Sequence, residues 1–201
     1  MTLANYFTLA RIFVSPLFPI LYLGYAWFAI PLQWLPYILL FFLTLSECSD
    51  LFDGFLARKR NQVTDLGKVL DPMADSITHI TLFFTFTQGI VQLPLLLVFI
   101  FLYRDIFIST LRTICALRGI ALAARFSGKV KTALQAIVSI LILLLMIPCT
   151  QGWLSIDLFQ KICLSLVGIA ALYTLISAGD YIMANRTHIK QALYTEKNSK
   201  I

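Results

Sequence analysis

Four aspartates carry the clearest chemical signal in the chain. They lie in the run Asp50-Leu-Phe-Asp53-Gly54-Phe-Leu-Ala57-Arg58 and, eight residues on, in Gly67-Lys-Val-Leu-Asp71-Pro-Met-Ala-Asp75. On a helix turning 100° per residue, Asp50 and Asp53 fall about 60° apart, and Asp71 and Asp75 about 40° apart. Two helices joined by so short a connection are antiparallel neighbours, so the four carboxylates can converge on one pocket. Four unpaired negative charges are costly to bury and need neutralising. An all-oxygen donor set suits a hard divalent ion, Mg²⁺ or Mn²⁺, and no His or Cys has the spacing of a zinc site. Two such ions bridged by four carboxylates form a clamp suited to displacement at phosphorus. The plainer alternative is that each Asp caps a helix end at a membrane surface.

The small residues of the same run fit a ligand. Gly54 and Ala57 leave one side of the first helix open to a planar base or a phosphate. Gly67, one turn before Asp71, clears the matching stripe on the second helix. Arg58 can pair with a phosphate or with one of the carboxylates.

The elements that position these residues are membrane helices. The chain has 201 residues, 59% of them apolar and 13% charged, with a mean hydropathy of +0.84. A soluble domain of this length needs a more polar exterior. Six apolar segments, at roughly 7–27, 33–55, 70–89, 92–117, 130–150 and 156–184, approach the length that crosses a hydrocarbon core. They show no strand alternation, so the expectation is an all-α, polytopic membrane protein with six transmembrane helices. The first segment lacks a basic start and is read as a retained span rather than a cleaved leader.

Charge sets the orientation. Arg58, Lys59, Arg60 and Lys68 lie between the second and third segments, and Arg118, Arg125, Lys129 and Lys131 between the fourth and fifth. Arg186, Lys190, Lys197 and Lys200 follow the sixth, whereas the opposite loops near 28–33, 88–93 and 150–157 have no Lys or Arg. The positive-inside rule then places both termini and every basic loop in the cytoplasm. The same asymmetry accounts for the net charge of +6 without nucleic acid. Cys48, Cys115, Cys149 and Cys163 lack paired or metal-type spacing and read as small buried hydrophobes. No linker, repeat or low-complexity tract divides residues 1–201, so one domain is expected.

The pattern D-x2-D-G-x2-A-R-x8-G-x3-D-x3-D is complete here in Asp50, Asp53, Gly54, Ala57, Arg58, Gly67, Asp71 and Asp75. At about 6% usage per residue type, eight matched positions arise by chance on the order of 10⁻¹⁰ per start site. The run resembles the signature of the CDP-alcohol phosphatidyltransferases. That resemblance implies a six-helix membrane enzyme, usually a homodimer, whose polar cavity opens to the cytosol. It further implies divalent metal on Asp50, Asp53 and Asp71, with Asp75 beside them or sharing the second ion. CDP would lie over Gly54 and Ala57, close to Arg58 and Gly67, and Asp75 would take the proton from the acceptor hydroxyl.

Three further stretches are similar to the bacterial members whose acceptor is glycerol 3-phosphate. Asn5-Tyr-Phe-Thr8-Leu-Ala-Arg11 resembles their N-x2-T-x2-R start, which adds Thr8 to the implied CDP site. Arg104-Asp105, Arg112 and Ser127-Gly128-Lys129-Val-Lys131-Thr132-Ala-Leu-Gln135 resemble their R-D…R…G-K-x-K-T-x2-Q region. Ser177-Ala-Gly-Asp180-Tyr181 echoes a motif in their last helix. The implied donor is CDP-diacylglycerol in a bacterial inner membrane, with the site facing the cytoplasm.

An acceptor dianion needs fixed positive charge, and Arg104, Arg112, Lys129 and Lys131 are the candidates. Arg104 and Arg112 share a face, about 80° apart, and Asp105 is a possible partner for Arg104. For Lys129 and Lys131 the plainer reading is flanking charge at the membrane surface. Three positions depart from the family pattern: Ser76 stands where Lys is usual, Ala4 where Pro is frequent, and Arg125 where a small residue is usual. His79, one turn after Asp75, either tunes that carboxylate or is a hydrogen-bonded structural histidine.

Other functions fit less well. Within the family, the alternative acceptor is phosphatidylglycerol, as in cardiolipin synthesis. Aspartate-rich prenyltransferases carry their acidic motifs on well-separated spans, whereas Asp53 and Asp71 are 18 residues apart. A divalent-cation transporter would place ligands near the bilayer midplane, often on broken helices in repeated halves.

Overall fold

A computed structural model describes the backbone over residues 3–59, 65–120, 122 and 125–194, and side chains over 8–49, 72–120, 122 and 125–190. Within those residues the chain forms eight helices and no strand: α1 Leu3–Val14, α2 Leu17–Gly24, α3 Leu35–Lys59, α4 Asp65–Thr85, α5 Leu95–Leu117, α6 Phe126–Thr150, α7 Ile156–Ala184 and α8 Arg186–Tyr194. Helix underlies each of the six apolar segments, in keeping with the all-α expectation.

Three boundaries differ from the sequence reading, each for a physical reason. The first segment is two helices, because Pro16 has no N–H to give the carbonyl of Ile12. Ser15 replaces that donor, its hydroxyl bonding the Ile12 oxygen at 3.0 Å. The third segment is shifted: α4 begins at Asp65 and ends at Thr85. Beyond it the chain turns around the Tyr22 hydroxyl, which donates to Gln88 O at 3.1 Å and accepts from the Ile90 and Val91 amides at 3.1 and 3.3 Å. α8 was not anticipated, since a helix reading Arg-Thr-His-Ile-Lys-Gln-Ala-Leu-Tyr is too polar to register as an apolar run.

The helix ends are built locally. α5 and α6 both close in Schellman turns, with Gly119 and Gly152 at φ +72° and +80°. Ile120 N–H returns to Cys115 O at 2.9 Å, and Trp153 N–H to Pro148 O at 2.9 Å. These caps keep the last carbonyls satisfied where each helix leaves the bundle.

Packing follows connectivity only in part. α6 packs most extensively on α7, α1 on α4, α3 on α6 and α5 on α7, so α4 and α6 form the middle of the bundle. Leu39 and Leu43 of α3, Leu82 and Phe83 of α4, Phe86 in the turn after it, Phe101 of α5, Ile142 and Met146 of α6 and Phe159 of α7 are fully buried. Phe83 stacks on Phe101 with centroids 4.8 Å apart and planes 12° from parallel. The four cysteines are free thiols; Cys115, Cys149 and Cys163 are buried as expected, and Cys48 lies instead on the exposed face of α3.

The outer surface is apolar. Phe13, Trp27, Leu96, Phe126 and Trp153 are each more than three-quarters exposed. Water would penalise such a surface, whereas lipid tails match it. α6 and α7, 25 and 29 residues long and with mean hydropathies of 2.4 and 2.0 over their most apolar 18 residues, are long and apolar enough to cross a bilayer. The protein is a membrane protein of helical architecture.

Candidate active site

The polar interior is organised by charged residues on otherwise apolar helices. Asp105 of α5 is its centre. Lys131 of α6 donates to both of its oxygens, at 2.8 and 2.7 Å. Arg104 donates through Nη1 to the same carboxylate at 3.0 Å, and through Nη2 to Ser177 Oγ of α7 at 3.0 Å. The Lys131, Asp105 and Arg104 side chains are only 3%, 5% and 11% exposed. Isolated charges at such depth would be prohibitive; here each has a short, charge-assisted partner. Two cations facing one carboxylate leave the centre with a surplus positive charge.

Gly128, at the start of α6, faces the Arg104 guanidinium; a Cβ there would stand 3.8 Å from Nη2, an ordinary van der Waals contact, so the assembly does not depend on glycine at this position. One residue earlier, Ser127 donates to Asp180 Oδ2 at 2.5 Å. Arg125 grips the same Asp180 with two hydrogen bonds, Nε to Oδ2 at 3.0 Å and Nη2 to Oδ1 at 3.1 Å. The unusual Arg at position 125 therefore has a partner on α7. Farther along α5, Arg112 donates through Nε to the Tyr181 hydroxyl at 3.2 Å, with its guanidinium carbon 5.2 Å from that ring's centroid.

Of the four acceptor-site candidates, the structure thus brings Arg104 and Lys131 together on Asp105. Arg112 lies two turns beyond, held by Tyr181, and Lys129 is exposed. The pairing of Arg104 with Asp105, one of the readings open from the sequence, is present.

A second polar group lies between α1, α3 and α4. Arg11 of α1 donates to Asp75 Oδ1 at 3.0 Å; the arginine side chain is 7% exposed and the aspartate 28%. Thr8, one turn before Arg11, is buried. His79 is buried one turn after Asp75, with Nε2 3.9 Å from Glu47 Oε1, too long for a hydrogen bond. Its Nδ1 has no hydrogen-bond partner among the described residues. Neither contact joins His79 to Asp75. Gln135 and Ser139, one and two turns beyond Lys131, are fully buried, and their polar side-chain atoms likewise lack partners there.

The remaining motif residues are placed by their backbone. Asp50, Asp53, Gly54, Ala57 and Arg58 belong to the last turns of α3, and Gly67 and Asp71 to the first turns of α4; their side chains lie outside the described residues. Asp71 and Asp75 are the seventh and eleventh residues of α4. Both are beyond the first turn, whose N–H groups are the ones that need caps, so the capping alternative does not apply to them. Among the described residues no three His, Cys, Asp or Glu side chains are grouped to hold a metal. The donor chemistry fits a hard cation: four carboxylates, in pairs about one helical turn apart, on the two helices that flank residues 60–64 in the chain.

Two residues here were given no role from sequence. The sequence marks Arg11 only as part of the N-terminal motif and gives Glu47 no motif. Both are ionisable residues on apolar helices, and that alone marks them as candidates for function.

Comparison with known proteins points the same way. The family model described as CDP-alcohol phosphatidyltransferase matches residues 1–176, a span that contains all eight signature positions. A Rickettsia typhi protein named CDP-diacylglycerol--glycerol-3-phosphate 3-phosphatidyltransferase is 32% identical over 188 residues, covering 92% of this chain and 98% of its own. Proteins of the same name from Bacillus subtilis and Shigella flexneri are 31% and 30% identical, covering 94% and 90% of this chain and 97% and 93% of theirs.

Proposed function

The chain belongs to the CDP-alcohol phosphatidyltransferase family, and on that footing we propose that it transfers the phosphatidyl group of CDP-diacylglycerol to sn-glycerol 3-phosphate. The products are phosphatidylglycerophosphate and CMP, a step of phospholipid biosynthesis. Relatives covered almost end to end carry that activity in their names. The observation that carries the acceptor choice is the buried centre of Arg104, Asp105 and Lys131. Its surplus positive charge suits a small phosphate dianion and has little use for a neutral alcohol.

Asp50, Asp53 and Asp71, with Asp75 beside them, would hold Mg²⁺ or Mn²⁺, two ions matching four oxygen donors. When bound, such ions supply charge neutralisation for the diphosphate and for the departing CMP phosphate. The chain's own residues do the rest. Gly54, Ala57 and Gly67 leave room for CDP along the facing stripes of α3 and α4, with Arg58 and Thr8 as polar contacts. Arg104 and Lys131 hold the acceptor phosphate, with Arg112 and Lys129 guiding it in. The terminal hydroxyl of glycerol 3-phosphate attacks the lipid-linked phosphorus. An O–P bond forms there as the bond to the CMP oxygen breaks, and Asp75 receives the hydroxyl proton. Positioning and electrostatics account for most of the acceleration.

We place the protein in a bacterial inner membrane as a single domain with six transmembrane helices, α1 and α2 together forming the first. The Lys and Arg distribution supports cytoplasmic termini and a site that faces the cytoplasm. There the soluble acceptor meets the head of the lipid donor. A homodimer is the expected assembly.

The test is CMP release by protein purified in detergent, given CDP-diacylglycerol, Mg²⁺ or Mn²⁺ and a panel of alcohols. Release driven by glycerol 3-phosphate alone is expected. Release with phosphatidylglycerol instead would move the acceptor assignment to cardiolipin synthesis. Metal uptake into proteoliposomes without lipid turnover would favour a transporter.

A further inference from the structure

We infer that Arg11, on the N-terminal helix, is a positioning residue that fixes the carboxylate of Asp75 toward the acceptor hydroxyl. This rests on the reading of Asp75 as the proton acceptor. The two residues are 64 apart in sequence and meet only because α1 packs along α4. Arg11 is the only charged residue of α1. It is 93% buried by the same measure that leaves Asp75 28% exposed. An arginine that served only as flanking charge would extend to the membrane surface; this one turns inward and donates to Oδ1 at 3.0 Å.

The asymmetry of the pair is what suits it to the task. The cation is buried, whereas the carboxylate keeps about a quarter of its side chain accessible to a reactant. Asp75 also shares its helix stripe with Asp71, one turn earlier, so like charge pushes it away from that neighbour. A guanidinium fixed by packing opposes the push and restricts the carboxylate rotamer. A proton acceptor works within about 2.6–3.2 Å of its donor, and a displacement of about 1 Å can cost about 100-fold in rate. Arg11 touches no reacting atom in this account; it acts through Asp75.

The experiment compares Arg11→Ala, Arg11→Gln, Arg11→Lys, Asp75→Asn and Arg11→Gln/Asp75→Asn as full-length protein in detergent. Two readouts are taken: steady-state CMP release and thermal unfolding. Arg11→Ala is expected to lower kcat about 100-fold, with KM for both substrates within about threefold, because binding groups are untouched. Arg11→Lys keeps the charge and should recover about tenfold of that loss. In the Asp75→Asn background, Arg11→Gln should cause no further fall in residual rate. A raised KM for glycerol 3-phosphate with kcat kept would make Arg11 a binding residue and overturn the inference, as would additive losses with Asp75→Asn. Arg11→Gln preserves bulk should the alanine variant not fold. If wild-type protein released no CMP with any alcohol, the functional reading would fall, and Asp75 would lose its role as proton acceptor with it. The unfolding data then decide the pair itself: an Arg11→Gln shift seen only when Asp75 is intact sustains the contact, and equal shifts in both backgrounds refute it.

Discussion

Lys131 places its ammonium between both oxygens of Asp105, at 2.8 and 2.7 Å, inside a bundle that exposes many large apolar side chains. The contact joins α5 to α6 at depth, and Arg104 completes it from the residue beside Asp105. Removing the carboxylate would leave two buried cations without a counter-charge. Asp105→Asn should therefore destabilise the protein by about 3–5 kcal/mol, the usual consequence of breaking a buried ion pair from one side. Thermal unfolding in detergent measures it, and a loss near zero would mean the centre is hydrated rather than dry.

Lys131→Ala separates stability from acceptor recognition. Asp105 keeps Arg104 as a partner, so the structural loss should be smaller than for Asp105→Asn. The acceptor phosphate loses a charge-assisted contact. KM for glycerol 3-phosphate should rise at least about tenfold, while KM for CDP-diacylglycerol changes less than about twofold. Equal changes for both substrates would contradict the acceptor assignment.

Arg125 and Asp180 form a pair of another kind. Their side chains are 41% and 36% exposed, so solvent competes for both charges. The bidentate geometry and the added Ser127 hydroxyl set orientation more than they set stability. Arg125→Ala should shift the unfolding midpoint by less than about 4 °C. The difference from wild type should shrink further near 1 M salt, where the screening length falls to about 3 Å. A large shift that persists in salt would show that the pair is effectively buried.

Much of this architecture was legible from apolar runs, and what was not has identifiable causes. α7 coincides with the apolar segment 156–184 at both ends, because polar residues flank a run with no internal break. The break at Pro16 has a local cause, proline's missing N–H, but the apolar run is continuous through it and hydrophobicity alone does not mark it. α8 escaped because a search for apolar runs cannot register a short basic helix. In the site, the Arg104–Asp105 contact could be proposed because the residues are adjacent. Lys131 reaches the same carboxylate from 26 residues away and Arg11 reaches Asp75 from 64. Neither pairing can be read without knowing which helices pack together. The better warning was energetic, since Arg11 and Glu47 are charges on apolar helices and such charges require partners.

The Ser15–Pro16 break, one turn after Arg11, gives a test of local bonding. Ser15 is buried and its hydroxyl serves the Ile12 carbonyl that Pro16 cannot serve. Ser15→Ala should cost about 1 kcal/mol, the net value of one hydrogen bond with its acceptor left unsatisfied. Pro16→Ala restores a backbone N–H at the required position. In that background, Ser15→Ala should cost nearly nothing. A double-mutant cycle on thermal unfolding reads the coupling, and additivity would show that the hydroxyl has some other role.

Asp71→Asn and Asp75→Asn test the centre of the mechanism by different routes. Asp71 is proposed as a metal ligand, so its amide variant should lose transfer by weakening metal affinity. Activity should return in part as Mg²⁺ or Mn²⁺ is raised. Asp75 is proposed chiefly as the proton acceptor, and an amide cannot take the proton at any metal concentration. Its variant should stay at least about 100-fold slow under saturating metal. A chelator should silence wild-type protein, and either divalent ion should restore it. Asp71→Asn should remain folded and inserted, because an amide among the proposed metal-binding carboxylates relieves like-charge repulsion rather than adding to it. Asp75→Asn should stay inserted but unfold at a lower temperature, because it also takes a counter-charge from the buried Arg11. Near-normal turnover in Asp75→Asn would remove the proton-acceptor role, whereas rescue of both variants by metal would make the two aspartates equivalent ligands.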